Sequence, residues 1–97
     1  MVTQTRPFDP AGYLNSGQAR AAYLSEALET GDPAFIADAL GIVARAQGMS
    51  QIARETGLSR ESLYRALSAE GNPEFTTVIR VVKSLGLKLT AVPQDQA

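Results

Sequence analysis

The chain has 97 residues, enough for one domain built around a single shared core and too few for two. It is 44% hydrophobic and 20% charged with a formal net charge of -1, the composition of a folded chain rather than a disordered one. It holds no Cys and no His, which excludes disulfides, the thiol nucleophile, the imidazole general base and the commonest zinc ligands; neither catalysis nor a cofactor is expected.

From the N-terminus, "MVTQTRPFDP" lacks the charged-then-apolar order of an export signal, and no apolar run reaches the roughly 18 residues of a membrane span. A cytoplasmic protein without a membrane partner is expected. Residues 1–17 read as an arm with a short helix after Asp9-Pro10, broken by Gly12 and by Asn15-Ser16-Gly17; Arg6 and Phe8 have no assigned task. Residues 18–47 hold two helices. The first runs from Gln18 to about Thr30, turns Ala19, Tyr23, Leu24, Ala27 and Leu28 to the core, and stops at Gly31. The second is capped by Asp32, opens on Pro33 and places Ile36, Leu40 and Val43 on one face.

Residues 49–68, "MSQIARETGLSRESLYRALS", read as two short helices, 50–56 and 60–68, joined at Gly57. This is the pattern of a helix-turn-helix, whose second helix enters the DNA major groove. Gly57 is expected at positive φ, and Ala53 is the small residue that lets the two helices approach. Ile52, Leu58, Leu63 and Ala66 supply the buried side. Ser59 caps the second helix, and Glu61 in its first turn suits the helix dipole. Arg60, Glu61, Tyr64, Arg65 and Ser68 then face outward, where arginine can bond guanine and hydroxyls can reach phosphates or base edges. Gln51, near the start of the first helix of the pair, is placed for a phosphate. Glu61 is the odd member, accepting from cytosine or orienting Arg65 four residues on. The alternative is a plain helical pair whose Arg- and Glu-bearing face is only solvated.

Beyond the turn "EGNPE", Asn72-Pro73 starts a helix over 73–85 with Phe75, Val78, Ile79, Val82 and Leu85 as its apolar stripe. Residues 87–92, "LKLTAV", alternate as a short β-strand does. A lone strand needs a partner, so Leu87, Leu89 and Val92 are expected at the interface of a homodimer. Residues 93–97 form a tail. The fold class is thus all-α with extra N-terminal helices and a short C-terminal strand.

Charge divides unevenly. Residues 1–44 carry Arg6 and Arg20 against Asp9, Glu26, Glu29, Asp32 and Asp38, two cations against five carboxylates and a net of -3. Residues 45–97 carry seven cations against five carboxylates, a net of +2. Glu26, Glu29 and Asp38 are candidates for steering a basic protein partner, or they merely cap and solubilise their helices.

The stretches "ARAQGMSQIARETGLSRESLYRALS" and "GNPEFTTVIRVVKSLGL" closely resemble the probable addiction-module antidote family, HigA-like antitoxins with a Cro/CI-type (lambda repressor-like) helix-turn-helix. The resemblance runs from "FDP" at 8–10 through "LGLKL" at 85–89. It implies an antitoxin that neutralises a small basic RelE/ParE-like toxin encoded beside it and represses its own promoter by binding operator DNA. The antidote role comes from the resemblance, whereas the DNA-binding role also follows from the residues. Two other readings stay open: a stand-alone phage-type dimeric repressor, and a protein-binding antidote that does not bind an operator.

Overall fold

The computed structural model describes residues 14–94. Five helices follow in order: α1 (Gly17–Thr30), α2 (Pro33–Gln47), α3 (Met49–Thr56), α4 (Arg60–Ala66) and α5 (Phe75–Ser84). The expected short helix after Asp9-Pro10, and Arg6 and Phe8, lie outside the described residues.

Local chemistry sets the helix ends. Ser16 caps α1 by accepting from the Ala19 N–H at 3.1 Å. Gly31, at φ 66, ends the helix in the left-handed region and returns its N–H to the Leu28 carbonyl. The corner closes through Thr30, whose hydroxyl donates to the Ala27 carbonyl at 2.6 Å and accepts from the Asp32 N–H at 3.1 Å. Asp32 then caps α2 on the Ala34 N–H at 3.1 Å, and Pro33 takes the first helical position, where a missing N–H has no cost.

α2 is the central element. It buries Ala37, Ala39, Leu40, Gly41, Val43 and Ala44, packs against α1 on one side, and meets α3 and α4 on the other. α3 in turn contacts α5. The core between them is held by Leu14, Leu40, Val43, Ile52, Leu63, Leu67, Val81 and Val82, all essentially without solvent contact. Burying a side chain of this kind stabilises a fold by roughly 1.5–3 kcal/mol relative to leaving it exposed.

Several expectations are corrected. The helix expected over 60–68 ends at Ala66 because Leu67 leaves the helical region (φ -97, ψ 63) to enter the core completely. The helix expected from Pro73 starts two residues later, with Glu74 as its cap at φ -64, ψ 152. The linker before it is held to α4: the Gly71 N–H donates to the Ser68 carbonyl at 2.9 Å, and Gly71 lies against the Arg65 and Ala66 carbonyls. Leu28 and Phe75, expected in the core, are 42% and 74% exposed.

The strand expected over 87–92 does not form; among the described residues there is none. The Leu87 N–H instead donates to the Val82 carbonyl at 3.1 Å, and the segment folds back on α1. Leu87 and Leu89 line a cavity of about 320 Å³ with Leu24 and Leu28. Of the three residues expected at a dimer interface, Leu87 therefore packs on its own core, whereas Leu89 and Val92 are exposed.

Candidate nucleic-acid interface

The α3–α4 connection starts at Thr56, a buried polar residue. Its hydroxyl donates to the Ile52 carbonyl at 2.7 Å and accepts from the Leu58 N–H at 3.3 Å, so the side chain closes α3 and shapes the exit. Gly57 adopts φ 79, ψ 11 and donates its N–H to the Ala53 carbonyl. No atom crowds a β-carbon at Gly57, so the need for glycine here is purely conformational. Ser59 follows in extended geometry, and its hydroxyl oxygen accepts from the Ser62 N–H at 3.0 Å.

α4 is thereby presented from both ends. Leu63 and Leu67 anchor it, and the opposite side carries Arg60, Glu61, Tyr64 and Arg65, all exposed. Arg60 and Tyr64 are one turn apart, as are Glu61 and Arg65, so two adjacent rows face solvent. Among the described residues no ion pair joins Glu61 to Arg65, so the expected orientation of Arg65 by Glu61 is not made and the guanidinium is free to meet a ligand. The groove beside this face holds Ser62, Arg65, Asn72 and Thr77 but also Glu70 and Glu74, two carboxylates against one guanidinium. An anion is therefore better met by the outer surface of α4 than by that groove.

Two residues differ from expectation. Ser68 is half-buried and its hydroxyl donates to the Arg65 carbonyl at 3.0 Å, which commits it to the end of the helix. Gln51 donates its side-chain amide to the Glu55 carboxylate at 3.1 Å. Glu55 in turn accepts from the Ser84 hydroxyl at 2.7 Å, and Gln47 donates to the Ser84 carbonyl at 2.9 Å. This network ties α2 and α3 to the end of α5. The Ser84 hydrogen bond, then the Gln51 hydrogen bond and the nearby Arg54 charge, hold the Glu55 carboxyl below its ordinary range. Arg80 adds a long 3.5 Å contact from α5 to the Thr56 carbonyl at the negative end of α3. The Gln51–Glu55 spacing was open to sequence reasoning; Ser84 and Arg80 were not, because nothing local links them to α3.

Glu26 and Glu29 are exposed on α1, and Asp38 is half-buried on α2. Among the described residues, no group of three or more His, Cys, Asp or Glu could hold a metal ion, and no helix is long and apolar enough to cross a membrane.

Taken together, these elements define a small all-helical protein that holds a short, arginine-bearing helix outward from a glycine turn. The chain belongs to the family of probable addiction module antidote proteins, whose family model matches residues 4–93. An uncharacterized protein of Haemophilus influenzae (strain Rd) is 49% identical over 88 residues, covering 91% of each chain. No solved structure matches. Membership in an antidote family implies a toxin as partner.

Proposed function

We propose that this protein is the antitoxin of a two-component module: it neutralises a RelE/ParE-like toxin by direct binding and represses its own promoter as a sequence-specific DNA-binding homodimer. The observation that carries the DNA-binding part is the presentation of α4. A left-handed Gly57 and the Ser59 cap hold the helix with Arg60, Tyr64 and Arg65 outward, while Leu63 and Leu67 fasten its inner side. In a Cro/CI-type helix-turn-helix, which we take α3 and α4 to be, that outer face lies in the major groove. Arg60, Glu61, Tyr64 and Arg65 then meet bases or phosphates, Ser59 sets the helix entry, and Gln51 and Ser68 act in the support of the pair.

The homodimer is supported by the C-terminal segment. From Lys88 to Val92 no backbone N–H has a partner among the described residues, and Leu89 and Val92 are exposed beside it. Pairing with the same segment of a second copy would satisfy those groups and cover both side chains. The two recognition helices would then sit about 34 Å apart, matching successive major grooves. We take the protein to act in the cytoplasm, by binding and without catalysis.

The test is fluorescence anisotropy with the DNA upstream of the gene against a scrambled duplex, at several salt concentrations. Binding that survives physiological salt and is lost on scrambling supports the repressor. Equal, weak binding that fades on both duplexes with salt refutes operator recognition and leaves an antidote that binds protein alone.

A further inference from the structure

α3 and α5 meet over a groove of about 350 Å³ lined by Glu55, Thr56, Arg80, Lys83 and Ser84. Arg80 and Lys83 lie three residues apart on one face of α5, and both are exposed. Arg54 is exposed on the α3 side, close enough for its charge to act on the Glu55 carboxyl. Among the described residues none of the three cations has an ion pair, and the one hydrogen bond they make is the long Arg80 contact to the Thr56 carbonyl. The carboxylate that could pair with them is engaged by neutral donors: one Glu55 oxygen accepts from Ser84 and the other from Gln51. Each helix C-terminus is equivalent to about half a negative charge. Three cations therefore stand against one carboxylate and two helix ends, and the face stays positive by about one charge.

The makeup of this face selects its occupant. A basic toxin is repelled, and a second copy docked across a two-fold axis would set cation against cation, because an isologous contact repeats one patch on both sides. Protein interfaces are built round an apolar centre and membrane-surface helices carry a large apolar face, whereas this groove is lined by polar side chains alone. Interfaces with nucleic acid are polar and accept positive charge, and phosphates supply most of their contacts. The position fits as well. Thr56, whose carbonyl Arg80 reaches, precedes Arg60 by four residues, a span of at most about 14 Å. The Arg80 contact and the start of α4 thus fall within half a turn of duplex, whose full turn is about 34 Å.

We propose that the α3–α5 face is a second DNA contact, in which Arg54, Arg80 and Lys83 hold phosphates flanking the bases that α4 meets. The inference rests on reading α4 as the recognition helix. The contact adds affinity without sequence preference, since phosphates carry no base information.

The experiment is fluorescence anisotropy over a range of salt, on the upstream DNA, on a scrambled duplex and on an upstream duplex trimmed of its flanks. Three forms of the full chain are compared: wild type, Arg80→Gln/Lys83→Gln, and Arg54→Gln/Lys83→Gln, which leaves the Arg80 contact to Thr56 in place. Circular dichroism and the thermal midpoint verify the fold of each. In both variants the slope of log affinity against log salt should fall by about 2, with equal loss on upstream and scrambled DNA. Trimming the flanks should weaken the wild type and leave the variants nearly unchanged. If the wild type prefers the upstream DNA and both variants keep its salt slope and bind within about twofold of it, this face does not touch DNA and the α4 reading stands. Loss on the upstream DNA alone would also overturn the proposal, since it marks base recognition rather than phosphate contact. If the folded wild type shows no preference for the upstream DNA, the α4 reading falls and the flanking contact falls with it.

Discussion

The carbonyl oxygen of Leu67 lies within clashing distance of where a β-carbon on Gly41 would be, so the middle of α2 touches the end of α4 with no side chain between them. The position of α4, and with it the direction of Arg60 and Arg65, is set by this backbone contact as well as by the Gly57 turn. Two glycines therefore support the site for different reasons, one for space and one for φ.

Gly41→Ala should destabilise the protein even though alanine favours a helix interior by about 1 kcal/mol over glycine. The colliding atom is backbone, which cannot rotate away, and overpacking of this kind typically costs about 1–3 kcal/mol or more. Thermal unfolding should show a lower midpoint than wild type, and a midpoint at or above it would refute the close contact. Gly57→Ala has open space around it and should lose roughly 1–2 kcal/mol from the left-handed backbone alone.

Ser59 separates stability from recognition. Ser59→Ala removes the cap on the Ser62 N–H and should cost about 1 kcal/mol in denaturant unfolding. Ser59→Asp restores a capping oxygen and favours the helix dipole, so its stability should match wild type. The same carboxylate would face phosphate, and operator affinity should fall. Equal DNA binding by Ser59→Asp and wild type would mean that the start of α4 does not approach DNA.

Arg65 can act in two ways, and they leave different traces. If it reads a base, Arg65→Ala should weaken specific binding by roughly 1–3 kcal/mol and relax sequence preference at one position. If it touches only phosphate, affinity should fall equally on all sequences and the salt slope should drop by about 1. Anisotropy titrations on a set of single-base operator variants distinguish the two. No change in either quantity would remove Arg65 from the interface.

Glu55 predicts a response to acid. Its carboxyl is held below the ordinary range, first by the Ser84 hydroxyl, then by the Gln51 amide and by Arg54. A carboxyl depressed in the folded state contributes stability that is fully present above its unfolded pKa and is lost as pH falls through the folded pKa. Ser84→Ala should raise the Glu55 pKa towards the ordinary value, visible in a side-chain NMR titration. The stability gap between wild type and Ser84→Ala should close in acid, below the ordinary carboxylate range. An unmoved Glu55 titration would show that the α3–α5 bridge is not populated in solution.

Features written in short-range chemistry were legible from the residues alone. Asp32 before Pro33, Gly57 between two short amphipathic runs and Ser59 before Arg60 each specify a cap or a turn from atoms within about four residues. That is why α2, α3 and the start of α4 fall where the pattern places them, and why Arg60, Glu61, Tyr64 and Arg65 are legible as one outward face. Features that depend on which element covers which follow only from packing. Leu28 and Phe75 fit the apolar periodicity of their helices yet stay 42% and 74% exposed, because burial requires full cover by a neighbour, and even Leu28, which shares a cavity with Leu87 and Leu89, is only partly covered. "LKLTAV" alternates like a strand, but Leu87 finds the core within its own chain and, among the described residues, the backbone beyond it finds no strand to pair with. The Glu55–Ser84 bond spans 29 residues, the Gln47–Ser84 bond spans 37, and Leu67 meets Gly41 from just beyond the end of α4. Periodicity records which side of a helix is apolar; only the packed arrangement of the described helices determines what that side touches, since contact is a property of two surfaces and each segment encodes one of them.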